Sequence, residues 1–115
     1  MELKTSDYHI IYHQHTATIS CKGSLLLNGT EEYAPISRLL TQAAQEERAQ
    51  LTLDVRQLDF LNSLGINTMT KFVITVRNKQ TLQLRVIGQG KIPWQVKLLR
   101  NFQRLMPELA LVLEE

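Results

Sequence analysis

Ser63 is the residue of this 115-residue chain whose type and position offer the clearest chemistry. It follows the apolar, alternating residues 51–61, and after Asn62 the hydrophobic period changes from that of a strand to that of a helix. The first amides of a helix have no intrahelical acceptor, and the helix dipole places partial positive charge there. An anion would therefore be favoured at this position. Alternatively, Asn62 or Ser63 simply caps the helix, and spacing alone favours the cap.

Three histidines form the other candidate site. His9, His13 and His15 fall on one face of an extended N-terminal segment and could bind a metal ion. No cysteine or carboxylate completes a recognisable ligand set, so the polar face of a hairpin is the favoured interpretation and no metal or cofactor is predicted. The single cysteine, Cys21, alternates with Ala17 and Ile19, which predicts a buried, reduced thiol.

The sequence contains none of the common motifs of enzyme active sites. The chain has no phosphate-binding loop, no zinc-protease motif and no convincing nucleophile–base–acid set. An enzyme is therefore not expected. The N-terminus is polar and no apolar run approaches the length of a membrane span, which predicts a soluble cytoplasmic protein without a signal peptide or membrane insertion.

Charge is distributed unevenly along the chain. The formal net charge is only +2, yet no acidic residue lies between Asp59 and Glu108, an interval that contains several lysines and arginines. The C-terminal half should therefore attract an acidic partner. Because no nucleic-acid-binding motif accompanies the charge, direct binding to nucleic acid is not expected.

The elements that position Ser63 follow from hydrophobic periodicity and breaker residues. Residues 8–13 and 16–22 predict an antiparallel hairpin ended by Gly23, and residues 24–29 a connection. The next helix begins either at Glu31 and Glu32, with Thr30 as a possible cap, or only at Pro35. Its apolar stripe comprises Tyr33, Ile36, Leu39, Leu40, Ala43 and Ala44.

Two further strands and two further helices follow. The helix after Asn62 has its apolar stripe at Ile66, Met69, Thr70, Val73 and Val76. A strand at 81–87 comes next, and then a helix from Pro93 with Val96, Leu99, Phe102 and Leu105 facing inward. Leu109, Leu111 and Leu113 alternate in a last strand. The order β-β-α-β-α-β-α-β predicts a single α/β domain, residues 1–115, with a mixed sheet flanked by helices.

Three stretches carry a resemblance over nearly the whole chain. Gly23-Ser24-Leu25 is similar to a Gly-x-Leu motif, and Pro93-x-x-Val96-x-x-Leu99 to a last-helix entry. Leu53-Asp54, followed by Phe60-Leu61-Asn62-Ser63-Leu64-Gly65, is similar to a strand ending in Asp-Ser-Ser/Thr-Gly. In this order and spacing the chain resembles the STAS domain family, which includes anti-sigma-factor antagonists and cytoplasmic domains of sulfate transporters.

The resemblance implies a STAS-like fold and a bacterial signal-transduction protein that regulates transcription by partner switching. An anti-sigma-factor-like serine kinase would phosphorylate Ser63, and a phosphatase would reset it; no cofactor is implied. The partner surface would comprise Gly23, Leu25, Asn62, Ser63, Leu64 and Gly65. Two residues depart from the motif, since Asn62 replaces Asp and Leu64 replaces the second Ser or Thr. The alternative is a non-switching scaffold or adaptor subunit of a signalling or transporter-associated complex. The sequence does not predict the oligomeric state.

Overall fold

A six-stranded mixed sheet and three helices make up the computed structural model, which describes all of residues 1–115. The elements in chain order are β1 (Glu2–Lys4), β2 (Tyr8–His13), β3 (Thr18–Leu25), α1 (Thr30–Gln45), β4 (Gln50–Leu61), α2 (Ser63–Lys79), β5 (Gln83–Gln89), α3 (Pro93–Leu105) and β6 (Ala110–Glu114). The strands lie side by side in that same order. The predicted α/β class with a mixed sheet is confirmed, with one strand more than predicted.

The sheet has an antiparallel half and a parallel half. β1, β2 and β3 pair antiparallel, whereas β3 to β6 pair parallel, as strands joined by helical crossovers must. α1 contacts α2 and α2 contacts α3, so all three helices lie on one face of the sheet. The carboxyl ends of the parallel strands β3, β4, β5 and β6 lie at the same end of the sheet. Leu25, Leu61 and Ser63 are brought together there.

The core lies between the sheet and the helices. Alternate residues of the strands point toward the helices and are buried, while their neighbours point to the helix-free face. On β4, for example, Leu53 is fully buried and Asp54 only partly. The largest buried side chains include Ile10, Ile19, Ile36, Leu40, Leu53, Met69, Leu84, Leu99 and Phe102.

The N-terminal region differs from the prediction in three ways. β1 was not predicted, because its polar residues show no strand pattern and form a strand only by pairing with β2. Residues 14–17 form a turn, so His15 does not share the strand face of His9 and His13. Gly23 does not end β3: it has a φ of 93° beside a register shift, and the strand continues to Leu25.

Two helices also correct the prediction. α1 begins at Thr30, one residue before the earlier predicted start, so that Gly29 and not Thr30 is at the cap position; Pro35 lies within the helix. In α3 the buried side chains are Gln95, Leu98, Leu99 and Phe102, so the predicted inward positions of Val96 and Leu105 are wrong. None of the helices combines the length and apolar character needed to cross a membrane.

Gln95 is buried because its amide joins two strands where they part. β4 and β5 pair only as far as Asp54 and Ile87. Beyond that point the Gln95 amide nitrogen donates to the carbonyl oxygens of Val55 and Leu58, both at 2.9 Å. Its side-chain oxygen accepts the amide of Gln89 at 2.8 Å. A buried polar side chain with all these partners is stable in the core.

Candidate protein-interaction surface around Ser63

Asn62 caps the helix that carries Ser63. Its backbone is extended, and its side-chain Oδ1 accepts the backbone amide of Gly65 at 2.9 Å. Ser63 is the first helical residue; its side chain is exposed and makes no hydrogen bond within the chain. The sequence allowed either Asn62 or Ser63 to cap this helix, and in the structure the cap is Asn62. The Ser63 hydroxyl is therefore free for chemistry.

Asn62 also ties together three segments of the chain. Its backbone amide donates to the carbonyl of Leu25 at 3.1 Å, and its side-chain Nδ2 donates to the carbonyl of Leu27 at 2.8 Å. The Tyr33 hydroxyl, on α1, lies 2.6 Å from Asn62 Oδ1 and 2.9 Å from the Leu25 carbonyl. The end of β3, the first turns of α1 and the start of α2 thus share one polar network, which we call the Asn62 network.

Three of the residues predicted to bind a partner are packing residues. A Cβ atom on Gly65 would lie 2.3 Å from Leu61 Cδ1, and one on Gly23 would lie 2.3 Å from the Asp7 carbonyl oxygen. Leu25 has no exposed surface. Gly23, Leu25 and Gly65 therefore shape the surface from beneath, and their role in partner binding stays a prediction.

The other predicted contacts reach the surface. Ser63 is exposed and Asn62 is partly exposed. Leu64 is half-buried and faces a mainly polar groove between α1 and α2, beside Arg38 and Lys71. Ser63 immediately precedes Leu64 on the first turn of α2 but does not itself line this groove.

An apolar groove lies close to Ser63, on the side of α2 that faces α3. It has a volume of about 360 Å³ and is lined mainly by Leu26, Phe60, Leu61, Ile66, Trp94 and Leu98, with Lys97 and Asn101 at one side. Phe60 is 60% exposed and Leu26 is 54% exposed, although both are large apolar side chains. Apart from Met1, they are the only large apolar side chains so exposed. Contiguous exposed apolar surface is typical of sites that contact other proteins.

This groove was not predicted from the sequence. Phe60 falls in the predicted strand and Leu26 in the predicted connection, and neither was identified as an exposed apolar residue. A local signal was present, since Phe60-Leu61 and Leu25-Leu26-Leu27 interrupt the alternation of apolar and polar residues at the ends of two strands. Trp94 completes the groove from α3, where its indole nitrogen donates to the Asp59 carbonyl at 3.2 Å. That contact joins residues far apart in sequence.

The histidines and the cysteine lie away from Ser63. His13 and His15 are at the turn before β3, at the opposite end of the sheet, and His9 pairs with Glu2. No group of three potential metal-ligating side chains occurs in the structure. Cys21 is buried as predicted, and burial raises the pKa of its thiol to about 12, with a further contribution from the charge of Asp54. These residues do not form a site with Ser63.

Comparison with known proteins was made at the level of sequence and of fold. No protein-family model matches the sequence, and no curated protein matches it significantly. A chain in the crystal structure of the diguanylate cyclase SiaD with its activator SiaC, from Pseudomonas aeruginosa, has a TM-score of 0.75 at 14% identity, over 99% of this chain and 98% of that one. The structure of SiaC alone gives 0.73 at 15% identity, over 99% and 98%.

An anti-sigma factor antagonist from Mycobacterium paratuberculosis is also similar in structure. Its TM-score is 0.66 at 17% identity, and the match covers 94% of this chain and 90% of that one. This chain has the fold of an anti-sigma factor antagonist. The predicted STAS-like fold is therefore confirmed. At such low identity the likeness describes the fold, and the function must be argued from the surface around Ser63.

Proposed function

We propose that this chain is a regulatory protein-interaction domain that changes partners when Ser63 is phosphorylated, and that it has no catalytic activity of its own. The partners would be an anti-sigma-factor-like serine kinase, which binds the unmodified form, and a phosphatase, which resets it. The site of action would be the cytoplasm of a bacterial cell. One observation carries the proposal: an exposed, unbonded serine begins a helix beside the apolar groove that contains exposed Phe60.

The helix start is suited to a phosphate. Asn62 already occupies the amide of Gly65 with its side chain and that of Ile66 with its carbonyl oxygen. The amides of Ser63 and Leu64 precede the first intrahelical hydrogen bond and remain available. A phosphoserine brings roughly −1.5 to −2 charges to this positive end of the helix dipole. The fold should therefore accept the modification without loss of stability.

The partner would not accept it. A protein that covers the apolar groove excludes water from Phe60, Leu26 and the neighbouring start of α2. A dianion at Ser63 would then lose most of its hydration, and an apolar partner surface would offer no hydrogen bond to replace it. The cost of several kcal/mol exceeds what a regulatory interface of moderate affinity can lose. Phosphorylation would thus release the partner and leave the domain folded.

The two departures from the STAS motif are compatible with this mechanism. Asn62 is neutral, so it adds no negative charge next to the phosphate, and it caps the helix as an aspartate would. Leu64 has no hydroxyl, which leaves Ser63 as the only acceptor within the motif. The half-buried side chain of Leu64 also adds apolar surface beside Ser63.

The test begins with protein purified from its own cells, with and without phosphatase treatment. Intact-mass and fragment-ion measurements should locate one phosphate on Ser63. A protein captured by the unmodified form is then titrated with wild type, phosphorylated wild type, Ser63→Ala and Phe60→Ser. Phosphorylation and Phe60→Ser should each weaken binding, and Ser63→Ala should keep it. Gln57→Ser, which alters another exposed residue of β4, is the matched control and should bind as wild type does.

A second candidate is a non-switching adaptor subunit. It is favoured by the similarity to SiaC, a protein described as the activator of a diguanylate cyclase, and by the loss of the second hydroxyl at Leu64. An adaptor would use the same groove, so Phe60→Ser would still weaken binding. Ser63 would carry no phosphate, and a phosphate introduced there would leave affinity unchanged. Equal affinity of the phosphorylated and unmodified forms would thus reject the switch in favour of the adaptor.

A further inference from the structure

β6 forms an unprotected edge of the sheet. It pairs with β5 on one side only. The opposite edge, β1, has three residues, two of them charged, which is how proteins commonly prevent strand pairing. β6 has five residues, with apolar Leu111, Val112 and Leu113 at its centre, no proline and no bulge. All three of these residues are partly exposed.

The free backbone groups of this edge can be identified. The carbonyl of Glu114 accepts the amide of Gly90 at 2.6 Å, so the backbone of Glu114 faces β5. Along a strand the backbone groups of successive residues point to opposite sides. The amides and carbonyls of Leu111 and Leu113 therefore point outward. They can pair with another extended chain.

Two arginines of α3 stand over this edge. Arg100 and Arg104, together with Gln103, border a groove whose floor is formed by the side chains of Leu111 and Leu113. Neither guanidinium forms an ion pair with a carboxylate, and Arg104 makes its only hydrogen bond to Asn101 Oδ1. The helix side of the edge thus carries two positive charges without partners.

We propose that β6 binds an extended segment of another protein as a seventh strand, with acidic side chains directed toward Arg100 and Arg104. On the other face of the sheet the added strand would continue the row that ends in Ala110 and Val112, so its alternate residues should be small or apolar. A second copy of this chain fits less well. An antiparallel pair of β6 strands would place the arginines of both copies on the same side, where like charges repel.

The proposal is independent of Ser63 and is tested with a designed probe. The probe is a short peptide of alternating valine and glutamate with blocked ends, compared with a matched valine–lysine peptide. Amide hydrogen exchange is measured by NMR with each. The amides of Leu111 and Leu113 should exchange readily in the free protein and become protected by the glutamate peptide. The amide of Val112, which bonds to β5, should be protected throughout.

Charge reversal provides the second arm. Arg100→Glu combined with Arg104→Glu should weaken the glutamate peptide roughly tenfold, since two ion pairs are lost and repulsion replaces them. Lys71→Glu combined with Lys79→Glu changes the net charge equally, on α2 and not on α3 or β6, and should have little effect. Equal binding of the two peptides, or no protection of Leu111 and Leu113 at saturation, would overturn the proposal. Protection that instead rises with protein concentration, together with a dimer mass, would also overturn it and identify self-association.

Discussion

The hydroxyl of Tyr33 lies 2.6 Å from the side-chain oxygen of Asn62, across the junction of α1 and α2. Burial raises the pKa of Tyr33 above its ordinary value, so the hydroxyl keeps its proton and can donate. The same Asn62 side chain accepts from Gly65 and donates to the Leu27 carbonyl. The start of α2 is thus held by contacts with segments that precede it by about thirty residues in sequence.

The Asn62 network predicts that replacing Asn62 with aspartate, the residue of the STAS motif, lowers stability. In Asn62→Asp, the atom that donates to the Leu27 carbonyl becomes an oxygen, so two acceptors face each other at the present distance of 2.8 Å. Loss of this partly buried hydrogen bond should lower the free energy of unfolding by about 1 kcal/mol, as measured by urea denaturation at pH 7.

The matched control is Asn67→Asp, which adds the same charge to an exposed residue in the second turn of α2. Its effect should stay within about 0.5 kcal/mol. If Asn62→Asp were as stable as wild type, the bond to Leu27 would have no role in holding the start of α2.

Replacement of Gly65 by alanine should destabilise the fold, although the same replacement usually stabilises a helix. Gly→Ala inside a helix ordinarily stabilises it by up to about 1 kcal/mol. Here the added Cβ would lie 2.3 Å from Leu61 Cδ1 and 2.8 Å from the Tyr33 hydroxyl oxygen, so Gly65→Ala should destabilise the fold by about 1 to 3 kcal/mol. Gly29→Ser, at a position with open space before α1, should be neutral or stabilising. Thermal or urea denaturation distinguishes the two signs directly.

The sequence predicted the elements that repeat a pattern. β4, α2 and the crossovers of the parallel half follow from hydrophobic periodicity, and their order limits the topology to a few choices. β1 could not be predicted in this way, because Glu2 and Lys4 are strand residues only through their partners on β2. Hydrophobic periodicity likewise predicted that Val96 of α3 faces the core. Gln95 is buried there instead, because its side chain bonds to carbonyl groups of β4.

The candidate site divides along the same line. The position of Ser63 at a helix start is a local property and was predicted. The choice of Asn62 as cap depends on the geometry of the turn, which two adjacent polar residues do not reveal. The apolar groove forms because Phe60, Leu26 and Trp94, from three separate parts of the chain, lie together in the fold. No local sequence pattern predicts that these three residues are in contact.

Asp54 gives the protein a predictable response to acid. Partial burial alone would raise the pKa of this carboxyl, but hydrogen bonds from the Arg56 side chain and backbone outweigh it and hold the pKa below its ordinary value. A carboxyl whose pKa is lowered by folding contributes stability above its unfolded pKa, near 3.9, and loses it as the pH falls through the folded value. Asp54→Asn should therefore cost about 1 kcal/mol at pH 7 and reduce the loss of stability below about pH 4.

Asp59→Asn is the control for that measurement, since Asp59 is an exposed residue of the same strand without an ion pair. Urea denaturation across the acidic range should give this variant the pH slope of wild type. A parallel slope for Asp54→Asn would mean that other carboxylates govern the acid response.

Ser63 itself provides the last prediction, in which stability and binding separate. Because Asn62 caps the helix and the Ser63 hydroxyl is unbonded, Ser63→Ala should change the free energy of unfolding by less than about 0.5 kcal/mol, whereas Asn62→Ala should lose about 1 to 2 kcal/mol. The phosphorylated protein should be as stable as wild type or more stable by up to about 1 kcal/mol, because the dianion meets two free amides at the positive end of the helix.

Affinity for the captured partner should follow a different order. Ser63→Ala should bind as wild type does, Ser63→Asp should bind more weakly because it carries one charge, and the phosphoprotein should bind most weakly. Urea denaturation of wild type, Ser63→Ala, Asn62→Ala and the phosphoprotein tests the first order. Partner titration of wild type, Ser63→Ala, Ser63→Asp and the phosphoprotein tests the second. A phosphoprotein that unfolds more easily than wild type would mean that any lost binding comes from damage to the fold, and the switch at the apolar groove would then be wrong.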